Sequence, residues 1–142
     1  MALLRKAIDL IIEMCYNFVG VMNVNSPLLD KSLDFATQIV LFYEEYSKTK
    51  KDTTIAKQLL RSATSIGANI NEAIFGNSKA DFISKLHISL KETSESIYWL
   101  TLLDRTRLFD YSYDELLSIA EEIKRMLISS INTAKSNKGI IK

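Results

Sequence analysis

At 142 residues the chain is long enough for one domain and too short for two ordinary ones. Its apolar share of 47%, charged share of 25%, four glycines and single proline exclude general disorder. They also exclude a fold of many short strands, whose turns consume glycine and proline. A formal net charge of +1, from 18 basic and 17 acidic side chains, excludes a whole-molecule field that would hold a polyanion, so any nucleic-acid contact has to come from a local patch.

The chain opens with Leu4, Ile8, Ile11, Cys15, Phe18 and Met22 at alternating four- and three-residue spacings, which predicts an amphipathic helix within residues 1–25. Asp9 and Glu13 interrupt what would otherwise be a signal or membrane-spanning run, so we expect no membrane partner and a cytoplasmic location. Cys15 is the single cysteine. It cannot form an intramolecular disulfide, which fits a reducing compartment, and it reads as a small apolar side chain.

Ser26 and Pro27 are placed as cap and first residue of the next helix. That helix is expected to run to about Ser47, with Leu29, Leu33, Ala36, Val40 and Tyr43 as its apolar stripe, widened by Leu28, Phe35, Ile39 and Phe42. A polar run from Ser47 to Lys51 leads to Asp52 or Thr53 as the cap of a second core helix, which Gly76 stops. The pairs Ser78 with Asp81 and Ser112 with Glu115 have capping-box spacing. They predict a third core helix from Lys79 to about Leu103 and a fourth from Tyr113 to about Ser136. Residues 137–142 then form a basic tail with Lys138 and Lys142. Short connections make neighbours antiparallel, so the expected fold is all-α: an up-down-up-down four-helix bundle over residues 26–136, preceded by the extra N-terminal helix.

The second core helix carries two stripes. Leu59, Ala63, Ile66, Ile70 and Ile74 form an apolar one; Gln58, Arg61, Ser65, Asn69 and Glu72 form a polar one. Gly67 costs roughly 1 kcal/mol of helix propensity relative to alanine, which suggests a close helix contact. The polar stripe is either solvated or part of a network between helices or subunits.

These residues carry a resemblance. Gln58-Leu59-Leu60-Arg61-Ser62, Ser65-Ile66-Gly67-Ala68-Asn69-Ile70-Asn71-Glu72-Ala73, Ser78-Lys79-Ala80-Asp81-Phe82, then Glu92, Glu95 and Tyr98-Trp99-Leu100 are similar to those of the bacterial four helix bundle proteins. That family is related to the intervening-sequence proteins encoded inside some large-subunit ribosomal RNA genes. The resemblance spans Leu28 to Ser136. More distantly the chain resembles the accessory variability determinants of diversity-generating retroelements, which implies a ring-shaped homopentamer that binds RNA or DNA and a reverse transcriptase. Those accessory proteins are strongly basic, and this chain is not. In the same terms, Arg61, Ser65, Gly67, Asn69, Glu72, Glu95 and Trp99 are expected at helix or subunit contacts.

Chemistry is sparse. His87 is the only histidine, which excludes the paired Glu-x-x-His motifs of a di-iron bundle; it is expected as a partly buried structural residue. Glu92 and Glu95 share a face without a nucleophile or orienting group and suit ion pairing with Arg61. Tyr98 and Trp99 read as core or interface packing. No catalytic residue, metal ligand or cofactor is expected. In an up-down-up-down bundle the first and third connections share an end, which brings Lys48, Lys50 and Lys51 near Arg105 and Arg107, partly offset by Asp52, Asp104 and Asp110. Repeated around an oligomer, that end would engage phosphates. The alternative is a protein-binding adaptor that docks the N-terminal stripe on a partner without nucleic acid.

Overall fold

A computed structural model describes residues 26–136; the N-terminal stripe with Cys15 and the tail from residue 137 lie outside the described residues. Four helices follow one another: α1 Pro27–Thr49, α2 Thr54–Ile74, α3 Lys79–Thr106 and α4 Asp114–Ser136. Each packs on its sequence neighbours, and α1 closes against α4, which makes the antiparallel four-helix bundle.

The helix ends follow from local chemistry. Ser26 Oγ accepts the Leu29 amide at 3.4 Å, with Pro27 in the first turn. Asp52 Oδ1 accepts the Thr54 amide at 2.9 Å, whereas Thr53, at the cap position of α2, makes no side-chain cap bond. Ser78 Oγ accepts the Asp81 amide at 3.1 Å. Gly76 follows α2 without a positive φ. A Cβ there would lie 2.7 Å from Asp81 Oδ2, the end of a side chain, and 3.1 Å from the Ala73 carbonyl, so the position is tight for any larger residue.

Two sequence expectations are corrected. The Ser112 and Glu115 capping box does not form. Tyr113 is buried among Phe42 and Tyr111, so it becomes the residue before α4, and its carbonyl accepts the Leu117 amide at 2.9 Å while Ser112 stays exposed. In α1 the core stripe is Leu28, Ser32, Phe35, Ile39, Phe42 and Tyr46. Leu33 is 63% and Val40 47% exposed, with Leu29 and Tyr43 half-buried at the core's edge.

The α2 apolar stripe packs as expected, with Leu59, Ala63, Ile66 and Ile70 fully buried. Small polar residues line the seam between α2 and α3. Ser62 Oγ and Ser96 Oγ are 2.9 Å apart, and Ser89 Oγ donates to the Ile66 carbonyl at 2.8 Å. Ser62, Ser89, Thr93 and Ser96 are fully buried, and their small volume lets the two helices approach closely. Gly67 does the same toward α1, where a Cβ would meet Ser32 Oγ at 3.0 Å.

Candidate functional site

The bundle end formed by the α1–α2 and α3–α4 connections is built on aromatic rings. Phe42 and Tyr46, in the last turns of α1, receive the returning α3–α4 loop. The Phe42 ring centroid lies 5.9 Å from Phe109, 4.9 Å from Tyr111 and 5.6 Å from Tyr113, and Tyr46 lies 5.3 Å from Phe109. Edge-on contacts of this kind add to the area they bury, and they pin the third connection over the end of the first. The alternation Phe109, Tyr111, Tyr113 was the available sequence signal for this cap, and helix periodicity passes over it.

On this frame stand the cations expected at this end. Lys48 Nζ pairs with Glu45 Oε1 at 3.0 Å and Glu44 Oε1 at 3.7 Å, and the hydrogen bond and charge of Glu45 hold its ammonium above the ordinary lysine value. Arg107 pairs with Asp104 at 3.4 Å. Lys50, Lys51 and Arg105 have no carboxylate within ion-pair distance among the described residues. Asp52 is turned to the α2 terminus, and its hydrogen bonds to Thr54 hold its carboxyl below the usual range. The end therefore presents Lys50, Lys51 and Arg105 as unpaired cations, with Asp110, Asp114 and Glu115 as exposed carboxylates likewise outside any ion pair among the described residues.

Arg107 occupies the left-handed region, φ 51° and ψ 29°, with its amide donating to the Leu103 carbonyl at 3.2 Å. This is the helix-ending position where glycine is usual. Beside it Tyr113 is 1% exposed and its hydroxyl has no hydrogen-bond partner. Burial, with Tyr46, Tyr111 and Asp104 nearby, pushes its phenol up to about 12.

The residues expected at packing contacts form a separate group. Arg61 bridges from α2 to α3, with Glu95 Oε1 at 2.6 Å and Glu92 Oε1 at 3.9 Å. Trp99 Nε1 donates to the same Glu95 oxygen at 3.2 Å, and Lys85 reaches Glu72 at 2.6 Å. Ser65 donates to the Arg61 carbonyl and Asn69 to the Ser65 carbonyl. The polar stripe is thus a partly exposed network between two helices of one chain. Glu92 Oε2 is buried without a partner. His87 is exposed rather than partly buried, because it points away from the α3 core stripe of Leu86 and Ser89. Tyr98 is 60% exposed, edge-on to Trp99 at 5.0 Å, so of the two only Trp99 packs inward.

Among the described residues no group of three or more His, Cys, Asp or Glu side chains is placed to hold a metal ion, and no helix is long and apolar enough to cross a membrane.

Comparison with known proteins bears on this architecture. The family model of the 23S rRNA-intervening sequence protein matches residues 25–129. A crystal structure of a protein with unknown function from the S23 ribosomal protein family of Bacteroides thetaiotaomicron is 48% identical, with a TM-score of 0.70 over 73% of this chain and 97% of that one. No curated protein matches.

Proposed function

The chain belongs to the family of 23S rRNA-intervening sequence proteins, and on that premise we propose that it is a non-enzymatic homo-oligomeric scaffold, a pentamer, that binds nucleic acid through its basic end. The family's name ties it to ribosomal RNA and favours RNA as the ligand. The observation that supports the reading is the unpaired charge of Lys50, Lys51 and Arg105 at an end where Glu44, Glu45, Asp52 and Asp104 are occupied locally, with Asp110, Asp114 and Glu115 offsetting it in part. A net charge of +1 gives one subunit little hold on a polyanion, and symmetric repetition of this end supplies the multiplicity. Lys48 and Arg107 join the surface by exchanging their own carboxylates for phosphate. Arg61, Ser65, Gly67, Asn69, Glu72, Glu95 and Trp99 serve packing on this reading, with the exposed edge of that network available to a neighbouring subunit. A reverse transcriptase as protein partner is the extension suggested by the distant resemblance to retroelement accessory proteins, and co-purification with such an enzyme tests it.

The deciding experiment replaces Lys48, Lys50, Lys51, Arg105 and Arg107 together with glutamine and titrates structured RNA, single-stranded RNA and DNA by gel shift at two salt concentrations. Loss of affinity with a flatter salt dependence, while light scattering still gives the same oligomer, supports the proposal. Absence of binding by the unmodified protein at low salt removes it and leaves the adaptor reading. A monomer at micromolar concentration removes the pentamer.

A further inference from the structure

The aromatic rings that close the basic end leave a groove beside them. Gln38, Leu41, Phe42 and Glu45 fall on one face of α1 at spacings of three, one and three, and Phe109 and Tyr111 of the α3–α4 connection complete its lining. The groove measures about 360 Å³, within the range of roughly 300–1,000 Å³ for sites that take a small organic molecule. Its floor is Phe42, 3% exposed, and Leu41 on its wall is 57% exposed. Phe109 and Tyr111 are half-buried and lie nearly parallel, 15° apart at a centroid distance of 6.2 Å. Phe42 and the two loop rings are needed to join α1 to the connection. Leu41 is not, since its side chain stays largely in solvent, and the fold alone gives no reason for an apolar wall beside the rings.

We infer that this groove takes an unpaired nucleobase of the RNA strand whose phosphates meet the basic end. The site rests on the nucleic-acid reading above, to which it adds the base as a second contact. Three features select a base over an aliphatic or purely charged ligand. Flat aromatic and apolar walls suit the face of any base, and stacking of this kind tolerates all four. The groove is polar at two points, where the Gln38 amide can donate and accept and the Glu45 carboxylate can accept from the N–H groups of a base edge. Glu45 also holds Lys48 Nζ at 3.0 Å, so a cation for the adjoining phosphate stands at the rim. Asp110, exposed between the two rings in the chain, and Glu115, whose charge acts on Tyr111, disfavour phosphate on the loop side and direct the strand towards Lys48. A duplex offers no such base, because its bases are paired and stacked inside the helix.

An RNA strand whose central bases are replaced by abasic sites keeps every phosphate and loses the ligand of the groove. In gel shifts with the full chain it is expected to bind about tenfold more weakly than the base-bearing single strand. The slope of log affinity against log salt should stay the same, because no phosphate contact is lost. Leu41→Asn removes the apolar wall without changing charge, at an exposed position that leaves the core intact. It is expected to lower affinity for the base-bearing strand by about tenfold and to leave the abasic strand unaffected. Ultraviolet cross-linking of a strand carrying iodouracil is expected to mark Phe109 or Tyr111, located by mass spectrometry. Equal affinity of the unmodified chain for the two strands overturns the groove while the basic end stands. So does a Leu41→Asn variant that weakens neither strand, or both alike. Cross-links confined to residues outside the groove assign the base elsewhere and likewise overturn it. No binding of either strand at low salt removes the nucleic-acid reading itself, and the base site with it.

Discussion

Gly67, Arg107 and Tyr113 each break a local rule for a reason that can be measured. Gly67 sits mid-helix because its missing Cβ would lie 3.0 Å from Ser32 Oγ, which is itself held by the Leu29 carbonyl at 2.7 Å. Gly67→Leu is therefore expected to destabilise by ~1–3 kcal/mol through overpacking, read as a lower thermal midpoint. Arg107 holds a left-handed conformation that glycine adopts freely. Arg107→Gly is expected to stabilise by about 0.5–1 kcal/mol, relief of strain outweighing the added freedom of the unfolded chain. The exposed pair with Asp104 contributes little against this. That an arginine occupies the position at all fits a role in binding, which predicts weaker nucleic-acid affinity in the same, more stable variant. Tyr113 buries a hydroxyl without a partner. Tyr113→Phe, which keeps the ring's shape and its contacts, is expected to raise the thermal midpoint by ~1 kcal/mol equivalent. The phenol's folded value of about 12 lies above its ordinary 10.0, so the unfolded chain releases this proton first. The stability it represents is intact below pH 10 and is lost as pH rises toward 12, by at most about 1.4 kcal/mol per pH unit. Tyr113→Phe should flatten that alkaline decline in denaturant melts.

Helices pack here by exchanging bulk for proximity, most clearly between α2 and α3. Ser62 Oγ and Ser96 Oγ lie 2.9 Å apart, and each also lies within reach of a carbonyl, Ser62 of Leu59 and Ser96 of Glu92. One hydroxyl therefore donates to its carbonyl while the other donates either across the seam or to its own carbonyl. Removing either hydroxyl leaves the other satisfied. Ser96→Ala is accordingly expected to cost less than ~1 kcal/mol, and Ser96→Leu ~1–3 kcal/mol because the added volume has nowhere to go; paired thermal melts decide whether size or bonding holds the seam. The same scale explains what the sequence made legible. Caps at Ser26, Ser78 and Asp52, and the apolar stripe of α2, depend on neighbours within one turn, so spacing reveals them. The inward face of α1 does not. Leu29, Leu33, Ala36, Val40, Tyr43 and Leu28, Phe35, Ile39, Phe42 are two apolar stripes at helical spacing, and periodicity cannot choose between them. Phe35, Ile39 and Phe42 win because the aromatic cap and Ser32 opposite Gly67 lie on their side. The Ser112 cap was lost to a similar tertiary pull, the burial of Tyr113. Long-range contacts of this kind leave no mark on sequence spacing.

For the whole molecule, the proposed nucleic-acid binding leaves two cases, one subunit's basic end acting alone or several acting together, and salt dependence distinguishes them. Each phosphate contact released on substitution lowers the slope of log affinity against log salt by about 0.7 for single strands and about 0.9 for duplex DNA. If a single end engages the ligand, Lys50→Gln should lower the slope by no more than one such increment. If several ends of a ring engage one RNA, the substitution is present in every subunit, and the slope should fall by several increments from one change of sequence. The ion pairs within each end set a second ordering. Lys50, Lys51 and Arg105 are unpaired, whereas Lys48 has to leave Glu44 and Glu45, and Arg107 has to leave Asp104, before meeting phosphate. The triple variant Lys50→Gln, Lys51→Gln, Arg105→Gln is therefore expected to lose more affinity per residue than the double variant Lys48→Gln, Arg107→Gln. Both should keep the same preference among sequences, because side chains on connections and helix ends meet the backbone without aiming a helix into a groove. Titrations of the single, double and triple variants at three salt concentrations would measure both effects. Equal slope changes per residue in the two groups would mean that the internal pairs dissolve without cost on binding, and no slope change in the triple variant would move the binding surface away from this end of the bundle.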